Sequence, residues 1–454
     1  MKVLLFRPRP HKETIGLQNV MICEPLELEY IAANIEPLGH ECIIIDMILE
    51  RKGVAYFVEK YKPDVVGITG YISHVNIIKD YAAKVKQYDP NIKTIVGGVH
   101  AEVNPTDFEC EQIDYIIRAN GIKTFIEILN GIEKKDENAV IDGVYRENHI
   151  CEKEMSFNYI FPDREKVSKY RSKYYYMFHR NCSLIKTSYG CPYKCKFCFC
   201  RQIMDDKYFA RSLENIIDEL KSIKETEIYI VDDDFLVDRN RLLKFCDMLE
   251  EKNIKKKYLI YGRADFIAAN EDVIARFKEV GLRAVIVGLE SCDSKQLDDY
   301  NKKTDTMINE KAVNILHKYD VECYGTLILG LDWTKEDFKA LYRWIKKLNL
   351  VFVNLQPLTP LRGTDMYEKY KSEFIVKEEE YEKWDLAHLV VKPGKISVRK
   401  YYWYTMVLYY MVTANPKSWW YMVKKYGFHD TMKLSIGAVA VNNQYIKKLI
   451  MGEK

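Results

Sequence analysis

No run of apolar residues in this chain is long enough to cross a bilayer. The longest, Tyr401 to Val412, covers twelve residues where about twenty are needed. No secretory segment is recognisable at its start, so its 12 cysteines are expected to be reduced thiols of a cytoplasmic protein rather than a disulfide framework. Charge of either sign is barely in excess. With 69 Lys and Arg against 66 Asp and Glu, a net of +3 argues against a broad nucleic-acid surface. A second Cys-x2-Cys or His-x3-His pair is also missing, which disfavours a structural zinc site. What is present, 48% hydrophobic and 30% charged residues in 454, is the balance of a folded protein of about three domains.

One stretch, Thr187 to Cys198, sets three thiols at Cys-x3-Cys-x2-Cys spacing on a single short loop. Thiolates hold iron–sulfur clusters, and Cys191, Cys195 and Cys198 can take three corners of a [4Fe-4S] cubane while leaving one iron open. An open iron can chelate the amino and carboxylate groups of a small molecule and pass it an electron. Cys200 reads as a spare thiol beside the loop in preference to a fourth ligand.

Before that loop the chain alternates strand-like and helical patterns. Apolar runs at Lys2–Phe6, Cys42–Asp46, Val65–Thr69, Thr94–Val96 and Tyr115–Ile117 predict a parallel, doubly wound sheet whose ligand end lies at the strands' carboxyl termini. Gly70, Tyr71 and Ser73 follow the third run, and Gly97, Gly98 and His100 follow the fourth. Glycines there suit close backbone approach to a ligand, or serve only to turn the chain. After the loop, six strand–helix units can be counted, with strands near 183–187, 227–231, 258–260, 284–287, 322–329 and 351–355. Six such units make a partial TIM-type barrel with active residues at its strand ends.

The cysteine spacing, with aromatic Phe197 before the last thiol, resembles the radical S-adenosylmethionine superfamily. The preceding segment is similar to the cobalamin-binding domain found in front of many of its members. This resemblance implies a fold: a Rossmann-like cobalamin domain (1–135), a linker (136–180), a partial (β/α)6 barrel (181–375) and a helical, aromatic-rich carboxyl-terminal cap (376–454). It also implies three cofactors: the [4Fe-4S] cluster, S-adenosylmethionine and cobalamin. For S-adenosylmethionine the matching positions are Phe197, the acidic run Asp232, Asp233 and Asp234, Arg263 of an R-A-D stretch, Glu290 and Ser291 of a G-x-E-S stretch, and Gly330. For cobalamin they are Gly70, Tyr71, Ser73, Gly97, Gly98, His100, Asn120 and Gly121. The D-x-H-x-x-G motif is absent, so neither His74 nor His100 is assigned to cobalt. Buried, inert thiols are the expectation for Cys292 and Cys323.

The activity implied is methyl transfer to an unactivated carbon through a 5′-deoxyadenosyl radical and methylcobalamin. An external electron donor such as flavodoxin or ferredoxin would supply the electron. The alternative keeps both cofactors but performs a rearrangement, cyclisation or carbon–carbon coupling on a small-molecule or lipid-like substrate. A methylthiotransferase or a non-catalytic binding module fits less well. The tail leaves two readings open. Tyr401 to Val412 and Trp419 to Val423 either cap the barrel's open side or form a peripheral membrane face, since Trp and Tyr beside Lys424 and Lys425 favour headgroup depth.

Overall fold

Continuous apolar runs become fully buried parallel strands. The computed structural model describes residues 1–136 and 140–451. Its first sheet consists of β1 (Lys2–Arg7), β2 (Glu41–Asp46), β3 (Val65–Thr69), β4 (Lys93–Gly97) and β5 (Tyr115–Ile116), in spatial order β2-β1-β3-β4-β5 and parallel throughout. Order reverses between β1 and β3, so ligands of such a sheet bind beyond the carboxyl ends of those strands. Apolar side chains fill both faces. Phe6, Ile68 and Val96 meet one layer of helices, while Leu5, Val65 and Ile95 meet the other.

The second sheet takes β6 (Ser183–Ile185), β7 (Glu227–Ile230), β8 (Lys257–Gly262), β9 (Leu282–Glu290), β10 (Glu322–Leu329) and β11 (Phe352–Pro357) in sequence order, all parallel, with helices outside. This is the expected six-unit open barrel. Tyr229, Leu259, Ile286, Tyr324 and Phe352 fill its interior, so the barrel is packed and its chemistry lies at the strand ends.

A barrel left open exposes the edge of β11, and unpaired strand edges invite pairing with other chains. Three helices, Val398–Thr413, Pro416–Tyr426 and Phe428–Met451, follow this edge in the chain. On the first, the Tyr409 hydroxyl donates to the Leu355 carbonyl (2.6 Å) and accepts from the Leu355 amide (3.1 Å), while Tyr401 donates to Leu329 (3.0 Å). Tyr401 and Tyr402 are wholly buried. The cap is therefore real, and it works through hydroxyls that satisfy an edge strand as well as through apolar burial.

The two sheets are joined by a buried ionic network. Arg164 and Arg171, on the 3-10 helix Arg164–Lys173, reach Glu24 ahead of the Leu26–Ile35 helix and Glu219 on the Leu213–Ser222 helix. Glu24 also accepts from the Leu184 amide of β6 (2.5 Å), and Arg211 pairs with Glu219 (2.5 Å). Removing one partner of such a buried set costs about 3–5 kcal/mol, because the other charge is stranded. Among the described residues, no helix is long and apolar enough to cross a membrane.

Candidate active site

The cysteine loop is closed at its base by a short antiparallel ribbon, Ser188–Tyr189 against Phe209–Ala210. Gly190 (φ +74°) makes the turn into it, and a Cβ there would lie 2.0 Å from the Lys207 carbonyl oxygen, so only glycine fits. Asp232 fastens the same base. Its carboxylate accepts from the Thr187 amide (2.6 Å), the Ser188 amide (3.0 Å) and the Ser188 hydroxyl (2.8 Å). With Thr187 Oγ1 also donating to it, Asp232 has no free oxygen and positions the loop instead of meeting a ligand. That corrects the expectation drawn from the acidic run.

Burial pushes the Cys191 thiol up to about 12, so a metal must displace its proton. Cys200 hydrogen bonds to the Cys198 sulfur and holds that thiol below its usual range. Among the described residues the one trio of potential ligand atoms within 4.8 Å of each other is His11, Glu13 and Glu382, near the surface.

Charge gathers around them. Arg263 is buried with Nη1 3.8 Å from the Cys195 sulfur, its guanidinium 3.7 Å from the Tyr193 ring centroid, and Nη2 donating to the Lys302 carbonyl (2.5 Å). Buried Lys302 pairs with Glu290 at 2.8 Å and lies 6.0 Å from the Phe197 ring centroid. Glu290 itself sits at φ +57°, where the β9–β10 register shifts, a strained backbone of the kind that collects at functional sites. Gly288 leaves room for this pair, since a Cβ there would lie 2.6 Å from the Lys302 amine. Asp234 is the complement. Burial raises its pKa to about 7, and Oδ2 is buried without a hydrogen-bond partner. Its Oδ1 accepts from the Leu236 amide (3.1 Å), and Arg263 and Lys302 are paired with Asp265 (2.9 Å) and Glu290, so Oδ2 is the acceptor left over. One spare buried carboxylate oxygen near the loop thiols fits the ammonium of a small zwitterion, and so fits S-adenosylmethionine on a cluster. Asp233 lies within hydrogen-bond reach of Cys200.

Two other expected residues have local duties. Ser291 donates to Gln296 (2.6 Å) and accepts from the Asp293 amide (3.0 Å), so its hydroxyl is taken. Gly330 faces protein: a Cβ would lie 2.3 Å from the Trp333 indole nitrogen. Lys302 and Tyr193 were not among the sequence candidates. Only the Asn301–Lys302 loop could have signalled the lysine.

At the first sheet the ends of β3 and β4 meet almost backbone to backbone. Gly98 has φ +102°, and a Cβ there would approach Thr69 Oγ1 at 2.8 Å and both backbone N and O of Gly70 at 3.0 Å. Gly70 is as tight, 2.9 Å from His74 Cβ and Ile78 Cδ1. Gly97 and Ser73 are half-buried beside them, and Tyr71 stands out from this surface, 61% exposed. Gly121 opens the Gly121–Glu133 helix with open space around its would-be Cβ. Such a side-chain-poor face suits a broad, flat group, and therefore cobalamin. His100 does not belong to it: its Nε2 is bonded to Asp107 (2.8 Å), and its ring lies edge-on to Phe108 and Tyr381. Asn120 is likewise occupied, its amide bonded to Glu152 and Glu154 backbone at 2.8 Å each. The His74 Nδ1 accepts from the Tyr71 amide (3.2 Å), and burial lowers its pKa to about 4.

Comparison with known proteins agrees with both halves. Residues 15–129 match the B12 binding domain, and residues 185–345 match the radical SAM superfamily. The chain is thus an enzyme of the cobalamin-dependent radical S-adenosylmethionine type, with cobalamin, a [4Fe-4S] cluster and S-adenosylmethionine as its cofactors. It is 25% identical over 410 residues to hopanoid C-3 methylase of Methylococcus capsulatus, covering 88% of this chain and 78% of that one. It is 28% identical to an uncharacterized methyltransferase of Pyrococcus horikoshii, covering 81% and 83%. The fold is shared with the radical S-adenosylmethionine methyltransferase TsrM of Kitasatospora setae, at TM-score 0.69, 15% identity, and 98% and 99% coverage.

Proposed function

We propose that this enzyme transfers a methyl group to an unactivated carbon of an apolar, lipid-like substrate. The observation that carries the reading is the meeting of the two ligand ends. The Val99–Val103 helix, directly after Gly98, packs on the Cys200–Ile203 helix, directly after Cys198. Asp107 pairs with Arg362 (2.8 Å), and Lys153 donates to the carbonyls of Gln202 (2.9 Å) and Ile203 (2.8 Å), bolting the loops together. When bound, the cluster with S-adenosylmethionine supplies radical chemistry and cobalamin supplies methyl-carrying chemistry.

In this reading Cys191, Cys195 and Cys198 hold the cluster. Arg263 and Lys302 attract the carboxylate of S-adenosylmethionine, Asp234 accepts from its ammonium, and Phe197 and Glu290 border it. Gly70, Tyr71, Ser73, Gly97, Gly98 and Gly121 form the cobalamin face. The spans 1–135, 136–180, 181–375 and 376–454 serve as cobalamin domain, linker, barrel and cap. An outside protein donates the electron. Similarity to a hopanoid methylase supports a hydrophobic substrate.

Similarity to anaerobic magnesium-protoporphyrin IX monomethyl ester cyclase of Rubrivivax gelatinosus, 22% identical over 415 residues, supports a second reading with no methyl transfer. Turnover with methyl-deuterated S-adenosylmethionine separates the two. Label in the product is the expected result. Unlabelled product would leave the cyclisation or coupling reading.

A further inference from the structure

The Phe428–Met451 helix is apolar on more of its circumference than the fold covers. Its inner side is accounted for: Tyr445 is wholly buried, stacked on Tyr409 (5.7 Å) and near Tyr402 (6.2 Å), with Val441 buried beside it. The opposite side repeats Met432, Ile436, Val439 and Ile446 at helical spacing, and Ile436 and Val439 are 63% and 58% exposed. Trp420 (56% exposed), on the preceding helix, adds an aromatic ring with the Lys424 amine 5.4 Å from its centroid. An exposed apolar stripe of this length on one side of a helix marks an interaction surface.

Charge decides what covers it. From Val398 to Met451 the sequence has eight Lys or Arg and one acid, Asp430, although the whole chain is only +3, so the rest is net acidic. Among the described residues Arg399, Lys400, Lys417 and Lys424 make no ion pair. A second copy placed on this face by two-fold symmetry would set the same excess of cations against itself. An anionic lipid surface would be attracted to it, and Trp, Tyr and Lys beside exposed aliphatic residues are what headgroup depth favours.

We infer that the outer face of the three carboxyl-terminal helices docks this enzyme on the surface of an anionic bilayer. Docking lays Ile436, Val439 and Trp420 into the headgroup boundary without crossing the membrane, while the inner tyrosines keep the barrel closed. The inference goes beyond the proposed reaction and does not depend on whether a methyl group is transferred.

The full chain, reconstituted anaerobically with cluster and cobalamin, is sedimented with phosphatidylcholine vesicles with and without phosphatidylglycerol. Association with the anionic vesicles, weakened by salt, is expected. Ile436→Glu/Val439→Glu should reduce the bound fraction by at least about tenfold, since burial of two aliphatic side chains is lost, with cluster and cobalamin absorbance unchanged. Trp420→Ala should give a smaller loss, which tests the face without adding charge. Failure of the wild type to sediment at low salt, or equal binding by both variants, overturns the inference. A dimer in solution that the double variant dissociates overturns it too, by assigning the face to a second copy. Absence of label transfer would leave the vesicle result untouched.

Discussion

The two ligand ends of this molecule are built from opposite materials. At β3 and β4 the surface is glycine backbone, and the polar side chains nearby are already bonded to protein: His100 to Asp107, His74 to the Tyr71 amide, Asn120 to Glu152 and Glu154. At the barrel mouth Asp234, Arg263, Glu290 and Lys302 are all buried charges packed around the cysteine loop. The contrast follows from what each end must recognise. A broad macrocycle is gripped by shape over many weak contacts, for which protruding side chains are an obstacle. A small zwitterion has little area and must be gripped by paired charge in a desolvated site.

Breaking the barrel end should have the largest effect. Replacing Cys191, Cys195 and Cys198 together by alanine is expected to take iron and sulfide from about four per chain to near none. Cobalamin binding should persist, because the face at Gly98 is built without them. Loss of both cofactors together would refute the separation. Next in size is Lys302→Met, which strands Glu290 in a buried site. Affinity for S-adenosylmethionine, measured by calorimetric titration, should fall by about 2–4 kcal/mol. Adding Glu290→Gln should restore thermal stability but not affinity. Restoration of both would make the pair a structural strut only.

How much of this was legible beforehand follows the same divide. Runs such as Val65 to Ile68 carry no polar side chain and are buried throughout, as strands covered on both faces must be, so both sheets could be read. The thiol spacing is local and needs no fold to interpret. Long-range pairings were hidden: Lys302 answers Glu290 across the Ser294–Asp299 helix, and Arg362 meets Asp107 from 255 positions away. Asp232 misled because three adjacent acids look alike in sequence, while the β7 end turns the first into the loop base and leaves Asp234 with one oxygen unpaired. His100 misled because it follows Gly97 and Gly98, and only the fold shows its ring edge-on to Phe108 and Tyr381. Of the tail's two readings, the cap is the one its hydroxyls show, through Tyr401 on Leu329 and Tyr409 on Leu355; the membrane face is the inference drawn above.

The sheet end can be tested with a single methyl group. Gly98→Ala forces a side chain into φ +102° and against Gly70 backbone at 3.0 Å, where no flexible atom can yield. A cost of about 1–3 kcal/mol is expected, and it should appear as reduced cobalamin occupancy with iron content unchanged. Iron loss in this variant would mean that the two ends are not independently built.

The smallest effect concerns the joint that keeps the ends together. Glu29 is wholly buried beside Arg164 and Arg171, yet neither of its oxygens has a hydrogen-bond partner. Burial, with the Glu24 charge next in size, raises its pKa well above the usual carboxylate value. A group whose folded pKa is raised favours the folded state fully below its unfolded pKa, near 4.5, and loses that contribution as pH rises through the folded value. Glu29→Gln cannot ionise, so the variant should match wild type near pH 5 and become the more stable of the two as pH rises. A gain of about 1 kcal/mol is expected, read as a shift of a few degrees in Tm. A variant less stable than wild type at pH 8 would show instead that Glu29 is ionised and that its attraction to Arg164 and Arg171 exceeds the desolvation cost. The joint would then resemble the charged barrel mouth more closely than the sparse sheet end.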